Sequence, residues 1–233
     1  MAIYAIADLH LSFGANKPMD IFGTNWTNHE TRIKENWEKT VRENDLVVLP
    51  GDFSWAMNLN DTITDFKYLD NLPGKKVLLK GNHDYWWNTL TKIRNLLNEN
   101  NFKNIEFIYN TATCYDDKII AGTRGWSELE DNAEKIIRRE NIRLENSIKN
   151  GIDTYGADKE IIVFMHYPPF NSYAEESMSF IKTMKKYNVK KCFYGHIHGL
   201  DAQKDAKQGI IDGIEFKLIS ADYLDFKLIK VSD

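Results

Sequence analysis

Lys75-Lys76-Val77-Leu78-Leu79-Lys80-Gly81-Asn82-His83-Asp84 decides how this chain is read. An apolar run of strand length, 76–80, stops at a glycine and then presents an amide, an imidazole and a carboxylate in succession. Such a cluster makes a poor core segment and a good site segment. Glycine allows a tight turn off the strand. Asparagine offers an amide oxygen, histidine a titratable ring nitrogen, and aspartate a carboxylate able to orient that ring.

Working outward, the same grammar recurs on both sides. Toward the N-terminus, Leu46-Val47-Val48-Leu49 runs into Pro50-Gly51-Asp52, and residues 2–7 run into Asp8-Leu9-His10. Toward the C-terminus, 161–165 ends at His166, and 191–194 ends at Gly195-His196-Ile197-His198-Gly199. Helical spacing fills the intervals. A helix is expected at 28–42 through Ile33, Trp37 and Val41, and another at 60–71, broken by Pro73-Gly74. A third carries Trp86, Leu90, Ile93 and Leu97 on one face. A charged helix lies between Trp126 and Gly151, with Leu129, Ala133, Ile137, Leu144 and Ile148 turned inward, and a further one at 174–187. Runs at 105–109 and 118–122 read as strands, and the tail is all strand. Asp212-Gly213 signals a hairpin between 210–211 and 214–219, and 224–231 is a last strand. Alternating strands and helices imply a largely parallel sheet with crossover helices. The strand-rich tail and the 105–122 pair imply a second sheet. The expected class is α/β, in one domain spanning 1–233.

Bulk properties bound the function. The 233 residues are 42% hydrophobic and 27% charged, with a net charge of -4, which offers no basic stripe for nucleic acid. The two cysteines, Cys114 and Cys192, are far apart and read as buried free thiols. No apolar run reaches bilayer-spanning length, and Ile3-Tyr4-Ala5-Ile6-Ala7 runs directly into Asp8 without a leader-like pattern. The expectation is a cytoplasmic protein with no membrane partner and no stable nucleic-acid binding.

Five of the six histidines end strands; the sixth, His29, reads as a surface residue at a helix start. Carboxyl ends of parallel strands share one edge, where ligands bind. Asp8, His10, Asp52, Asn82, His83, His166, His196 and His198 should therefore converge. Each motif alone has a bland reading, as a turn or a satisfied imidazole; their joint occurrence at strand ends does not. The set offers only nitrogen and oxygen donors, too many for one tetrahedral ion and suited to two divalent ions.

In this order, Asp8-x-His10, Gly51-Asp52, Gly81-Asn82-His83-Asp84, His166 and Gly195-His196-x-His198 resemble the calcineurin-like metallophosphoesterase superfamily. The resemblance implies a four-layer α/β/β/α sandwich of two mixed sheets face to face, with helices outside. It implies one metal on Asp8, His10, Asp52 and His198, and a second on Asp52, Asn82, His166 and His196, with Asp52 bridging. It leaves His83 off the metals to stabilise or protonate the leaving oxygen, with Asp84 orienting it. Manganese or iron is favoured by the resemblance; zinc, cobalt and nickel also suit such ligands. Two ions roughly 3.5–4 Å apart can clamp a phosphoryl group and supply hydroxide for in-line attack.

One departure bears on the substrate. Protein phosphatases of this superfamily carry an Asp-Arg pair shortly after Gly-Asp, where this chain has Phe53-Ser54-Trp55-Ala56. The expected substrate is a small phosphodiester, nucleotide or pyrophosphate-type molecule, with a phosphomonoester as the alternative. A non-catalytic protein-binding scaffold on the same fold is the competing class. Such scaffolds usually lose ligands or the off-metal histidine, and every position here is filled. Trp55, Trp86, Trp87, Trp126, Tyr167, Phe170 and Tyr173 crowd the motifs, either packing the loops or meeting an aromatic or apolar moiety. Trp55, Trp87 and Arg124 are candidate substrate contacts; for Arg124 a structural salt bridge reads equally well, and Lys80 is a weaker candidate.

Overall fold

Each apolar run ending in a polar cluster forms a strand in the computed structural model, which describes residues 1–172 and 179–233. The chain divides into two compact units, Met1–Phe107 with Ile219–Asp233, and Ile108–Leu218.

The first unit holds β1 (Ile3–Ala5), β2 (Leu46–Pro50), β3 (Lys75–Leu79), β4 (Ile105–Phe107) and, from the chain's end, β11 (Ile229–Ser232). Their order is β11-β1-β2-β3-β4, with β1 to β4 parallel and β11 antiparallel on β1. Parallel neighbours need crossovers. These carry α1 (His29–Thr40), α2 (Ile63–Asp70) and α3 (Leu90–Glu99). Ile33 and Trp37 of α1, Phe66 and Leu69 of α2, and Ile93 and Leu97 of α3 are buried in one cluster with Val47, Leu49, Leu78 and Phe107. Thr89 caps α3, its side chain accepting from the Lys92 amide.

Several expectations shift. The 105–109 run does not pair with 118–122: β4 extends the first sheet beside β3. Trp86 is buried but precedes α3, which begins at Leu90, so it is not a residue of the helix face. His29 is only 4% exposed, against the expected surface role, because it packs edge-on to Trp26 and beside Phe226 from the far end of the chain. The last strand is shorter than 224–231, since Asp225 and Phe226 take left-handed backbone and turn the chain into β11.

Lys76 is wholly buried in β3, and its ammonium donates to the Leu72 carbonyl. Burial pushes its pKa down to about 8, from an ordinary 10.5. Below pH 8 both folded and unfolded chains carry the proton, and the burial cost is fully present. Between about 8 and 10.5 the unfolded chain binds the proton more tightly, so this group makes stability rise with pH. Lys76→Met is expected to raise stability at pH 7 by about 1–3 kcal/mol, after the loss of one hydrogen bond. It should also flatten the rise between pH 8 and 10.5 in urea unfolding. A less stable variant at pH 7 would contradict this.

The second unit holds β5 (Thr113–Tyr115), β6 (Lys118–Thr123), β7 (Glu160–Met165), β8 (Lys191–Tyr194), β9 (Gly209–Ile211) and β10 (Ile214–Leu218). Their order is β5-β6-β7-β8-β10-β9, parallel from β6 to β10 and edged by antiparallel β5 and β9. Asp212 (φ 52°) and Gly213 (φ 80°) make the two-residue hairpin turn, both left-handed as that turn requires. The helices are α4 (Ala133–Tyr155), α5 (Phe180–Lys186) and α6 (Leu200–Lys204). Ile137, Leu144 and Ile148 of α4 and Phe180 and Met184 of α5 share a core with Ile119, Val163, Cys192 and Phe216. Leu129, expected on the inward face of α4, lies before the helix and is 92% exposed; Asn132 in left-handed backbone starts the helix later. Residues 174–178 of the expected 174–187 helix, and Tyr173, fall outside the described residues; α5 covers most of the rest.

Both sheets are mixed and flanked by helices, which establishes the α/β class. Cys192 is buried, and burial pushes its thiol pKa up, whereas Cys114 is half-buried rather than buried. Among the described residues no helix is long and apolar enough to cross a membrane.

Candidate active site

In the first unit the loops after β1, β2 and β3 lie side by side. Beyond β1 and β2 the parallel pairing continues through Asp8 N to Gly51 O (3.1 Å), His10 N to Asp52 O (3.0 Å) and Leu11 N to Phe53 O (3.0 Å). Asp8, His10 and Asp52 all take left-handed backbone, with φ of 61°, 48° and 52°. This region is uncommon for residues other than glycine, and such strain clusters at functional sites. Here it turns polar side chains out of two adjacent strand ends.

All three side chains are buried. Asp8 offers a carboxylate oxygen within 4.8 Å of an Asp52 oxygen and of a His10 ring nitrogen. His10 Nε2 lies 3.8 Å from Asp52 Oδ2. Two carboxylates this close in a buried setting repel unless a cation or proton intervenes. With imidazole beside them, the donor set fits a divalent ion of the borderline metals.

Residues 81–84 pack against this cluster. A Cβ on Gly81 would collide with the Asp52 carboxylate and amide. Its glycine therefore serves clearance rather than a left-handed turn. The His83 amide donates to Asp52 Oδ1 at 2.8 Å. Half-buried Asn82 lies between these two residues.

Asp84 does something other than expected. Oδ2 accepts from the amides of Asp52 (2.9 Å) and Gly81 (2.7 Å), while Oδ1 accepts from the amides of Phe53 (3.0 Å) and Ser54 (3.3 Å) and from Trp86 Nε1 (3.0 Å). The carboxylate thus ties the loop after β3 to the loop after β2 and does not bond the His83 ring. Burial, then the Asp52 charge, push its pKa up to about 7, with the N–H donors opposing. Every one of its contacts is a donor, so protonation would set an O–H against an N–H. The geometry supports the ionised form.

The His83 ring has different neighbours. Its Nδ1 lies 3.3 Å from the Tyr85 hydroxyl, and its ring centre lies 4.5 Å from Trp55. Trp55, 7% exposed, also stacks on His10 at 4.8 Å and 18°. Its Nε1 donates to Met19 Sδ at 3.0 Å. Trp87 is packed against Trp86 (5.3 Å) and Phe107 (5.4 Å), on the edge of the first unit's core.

In the second unit, His166 follows β7 and is wholly buried. Its carbonyl accepts from the Gly195 amide at 3.1 Å, which pins the loop after β8. His196, in left-handed backbone with φ 71°, sets its ring 5.1 Å from that of His166 and 4.0 Å from Tyr167. His198 is half-buried in the same loop. Arg124 passes over Trp126 at 4.5 Å and lies 3.7 Å from Glu140, a carboxylate 1% exposed that also takes Arg143 at 2.7 Å and the Thr123 hydroxyl at 2.7 Å. Burial of Arg124 lowers its pKa, and the Glu140 charge opposes that. The salt-bridge reading of Arg124 therefore has a visible partner.

The chain belongs to the calcineurin-like phosphoesterase family, whose model matches residues 1–200. No functionally curated protein matches it. Among solved structures, a protein from Thermus thermophilus matches with a TM-score of 0.60 and 13% identity, over 99% of this chain and 97% of that one. A protein of unknown function from Aquifex aeolicus matches at 0.53 and 20%, over 98% and 95%. The phosphopantetheinyl hydrolase of Mycobacterium tuberculosis matches at 0.54 and 13%, over 99% and 95%. At these identities the likeness is one of fold.

Sequence reasoning missed Lys17 and Asp65, and left Tyr85 open between core packing and substrate contact. Asp65, buried in α2, accepts from the Phe13 amide (2.9 Å) and from the Ser54 hydroxyl, fastening the loop after β1. Its only sequence signal was an acid beside Phe66 on a helix face.

Proposed function

We propose that the protein is a dinuclear metal-dependent phosphoesterase acting on a small phosphodiester, nucleotide or pyrophosphate-type molecule. The observation that carries the reading is the buried Asp8, His10 and Asp52 cluster on left-handed backbone at adjacent strand ends. Family membership supports adding Asn82, His166, His196 and His198 to the donors. Bound divalent ions would supply Lewis acidity and a hydroxide at neutral pH.

The chain's own residues divide the remaining work. Asp52 presents a carboxylate held by the His83 amide, so its orientation is set before any ligand arrives. His83 would stabilise or protonate the leaving oxygen, a proton transfer typically contributing about 10²–10⁴-fold. Trp55 walls both imidazoles and limits water there. The name of the Mycobacterium tuberculosis neighbour speaks of a phosphopantetheinyl substrate for that protein; here it supports only the general class of small phosphoesters. Manganese or iron is the proposed metal and the cytoplasm the proposed compartment; a phosphomonoesterase is the second reading.

Equilibrium dialysis against Mn²⁺ tests the site. Two ions per chain are expected, with Gly81→Ala weakening uptake at least about tenfold because its methyl displaces Asp52. Wild-type uptake of none would sink the proposal.

A further inference from the structure

Lys17 extends from the loop between β1 and α1 onto the Trp55 indole. Its Nζ lies 3.0 Å from the ring centre, and 5.6 Å from the ring of Phe22. That indole is the one stacked on His10 and tilted against His83, so a single ring separates the ammonium from the imidazole given the leaving-group role. Lys17 forms no ion pair with a carboxylate among the described residues. It also lines a cavity of about 260 Å³ with Ser12, Asn16, His29 and Glu30. The acid in that cavity, Glu30, is held by His29 Nδ1 at 2.8 Å.

An ammonium on an aromatic face gains roughly 0.5–2 kcal/mol and gives up part of its hydration. Charge-assisted contact with a phosphate or carboxylate is stronger, and a partly dehydrated ammonium loses less in making it. The loop itself is anchored without Lys17, through the Phe13 amide on Asp65 and the Trp55 amide on Leu11 O at 2.9 Å. The cation is thus spare to the fold and lies on the indole that packs against His10 and His83.

We propose that Lys17 is a specificity-determining residue that takes a second anionic group of the substrate, so that the preferred substrates are phosphoesters or phosphoanhydrides bearing a further phosphate or carboxylate. This deepens the phosphoesterase reading and rests on it. Ile21 and Phe22, exposed in the same loop, offer apolar surface to the remainder of such a substrate.

The test is calorimetric binding to the Mn²⁺-loaded protein of three probes: propylphosphonate with one anionic group, and propane-1,3-diylbisphosphonate and 3-phosphonopropionate with two. At least one two-anion probe should bind about tenfold or more tightly than propylphosphonate. Lys17→Met should close that gap while leaving propylphosphonate within about twofold, and Lys17→Arg should restore it. The bisphosphonate and the carboxylate probe separate the two sources of the second charge. No gap in wild type, or a gap that survives in Lys17→Met, overturns the assignment. The phosphoesterase reading is judged separately, by whether propylphosphonate binding requires Mn²⁺.

Discussion

Asp84→Ala is expected to destabilise the protein by about 3–5 kcal/mol, because it strips a buried carboxylate from N–H donors that have no water to turn to. Those donors are the amides of Asp52, Phe53, Ser54 and Gly81 and the indole of Trp86. For a chain of this length the loss corresponds to a thermal midpoint lower by roughly 6–20 °C. The variant should also lose Mn²⁺ binding, since the Asp52 amide and the Gly81 turn are fixed by the same carboxylate. A thermal midpoint within a degree of wild type would show that these bonds are not what holds the two loops. If Asp84 served only to orient His83, stability would hardly change and activity alone would fall.

His83→Ala carries the largest effect on activity, a fall in kcat of about 10²–10⁴-fold. The fall should be greater for a poor leaving group than for 4-nitrophenol, because a good leaving group needs little protonation. Mn²⁺ binding should persist, since the contact between residue 83 and Asp52 is through the backbone amide and survives the substitution. Parallel loss of metal and activity would instead make His83 a ligand. Tyr85→Phe removes the hydroxyl 3.3 Å from Nδ1 and should reproduce a smaller part of the loss, about tenfold.

The strand ends were legible because their signal is local. An apolar run followed by a donor, in most cases after a glycine, can be read within ten residues; β7 and β8 end where that pattern predicts, and β2 and β3 end within one residue of it. Partners were not legible. Asp84 bonds amides about thirty residues upstream, and no spacing within 81–87 announces that. His29 looked exposed because its burying partner, Phe226, lies in the tail. The register of 105–109 depended on which strand it meets, which apolarity alone does not encode. Leu129 fitted the helical period of α4, yet the left-handed backbone of Asn132 starts that helix beyond it, and periodicity does not fix where a helix begins. Lys17 gave no signal, since a lone lysine in a loop reads as solvated until an indole is found beneath it.

The measurement that bears most directly on the central claim is hydrolysis of bis(4-nitrophenyl) phosphate and 4-nitrophenyl phosphate by purified protein. It would be followed before chelation, after chelation, and after Mn²⁺ is returned. Diester hydrolysis is expected to disappear with the metal and to return with it. Hydrolysis indifferent to chelation, or none from the Mn²⁺-loaded protein on either ester, would contradict it.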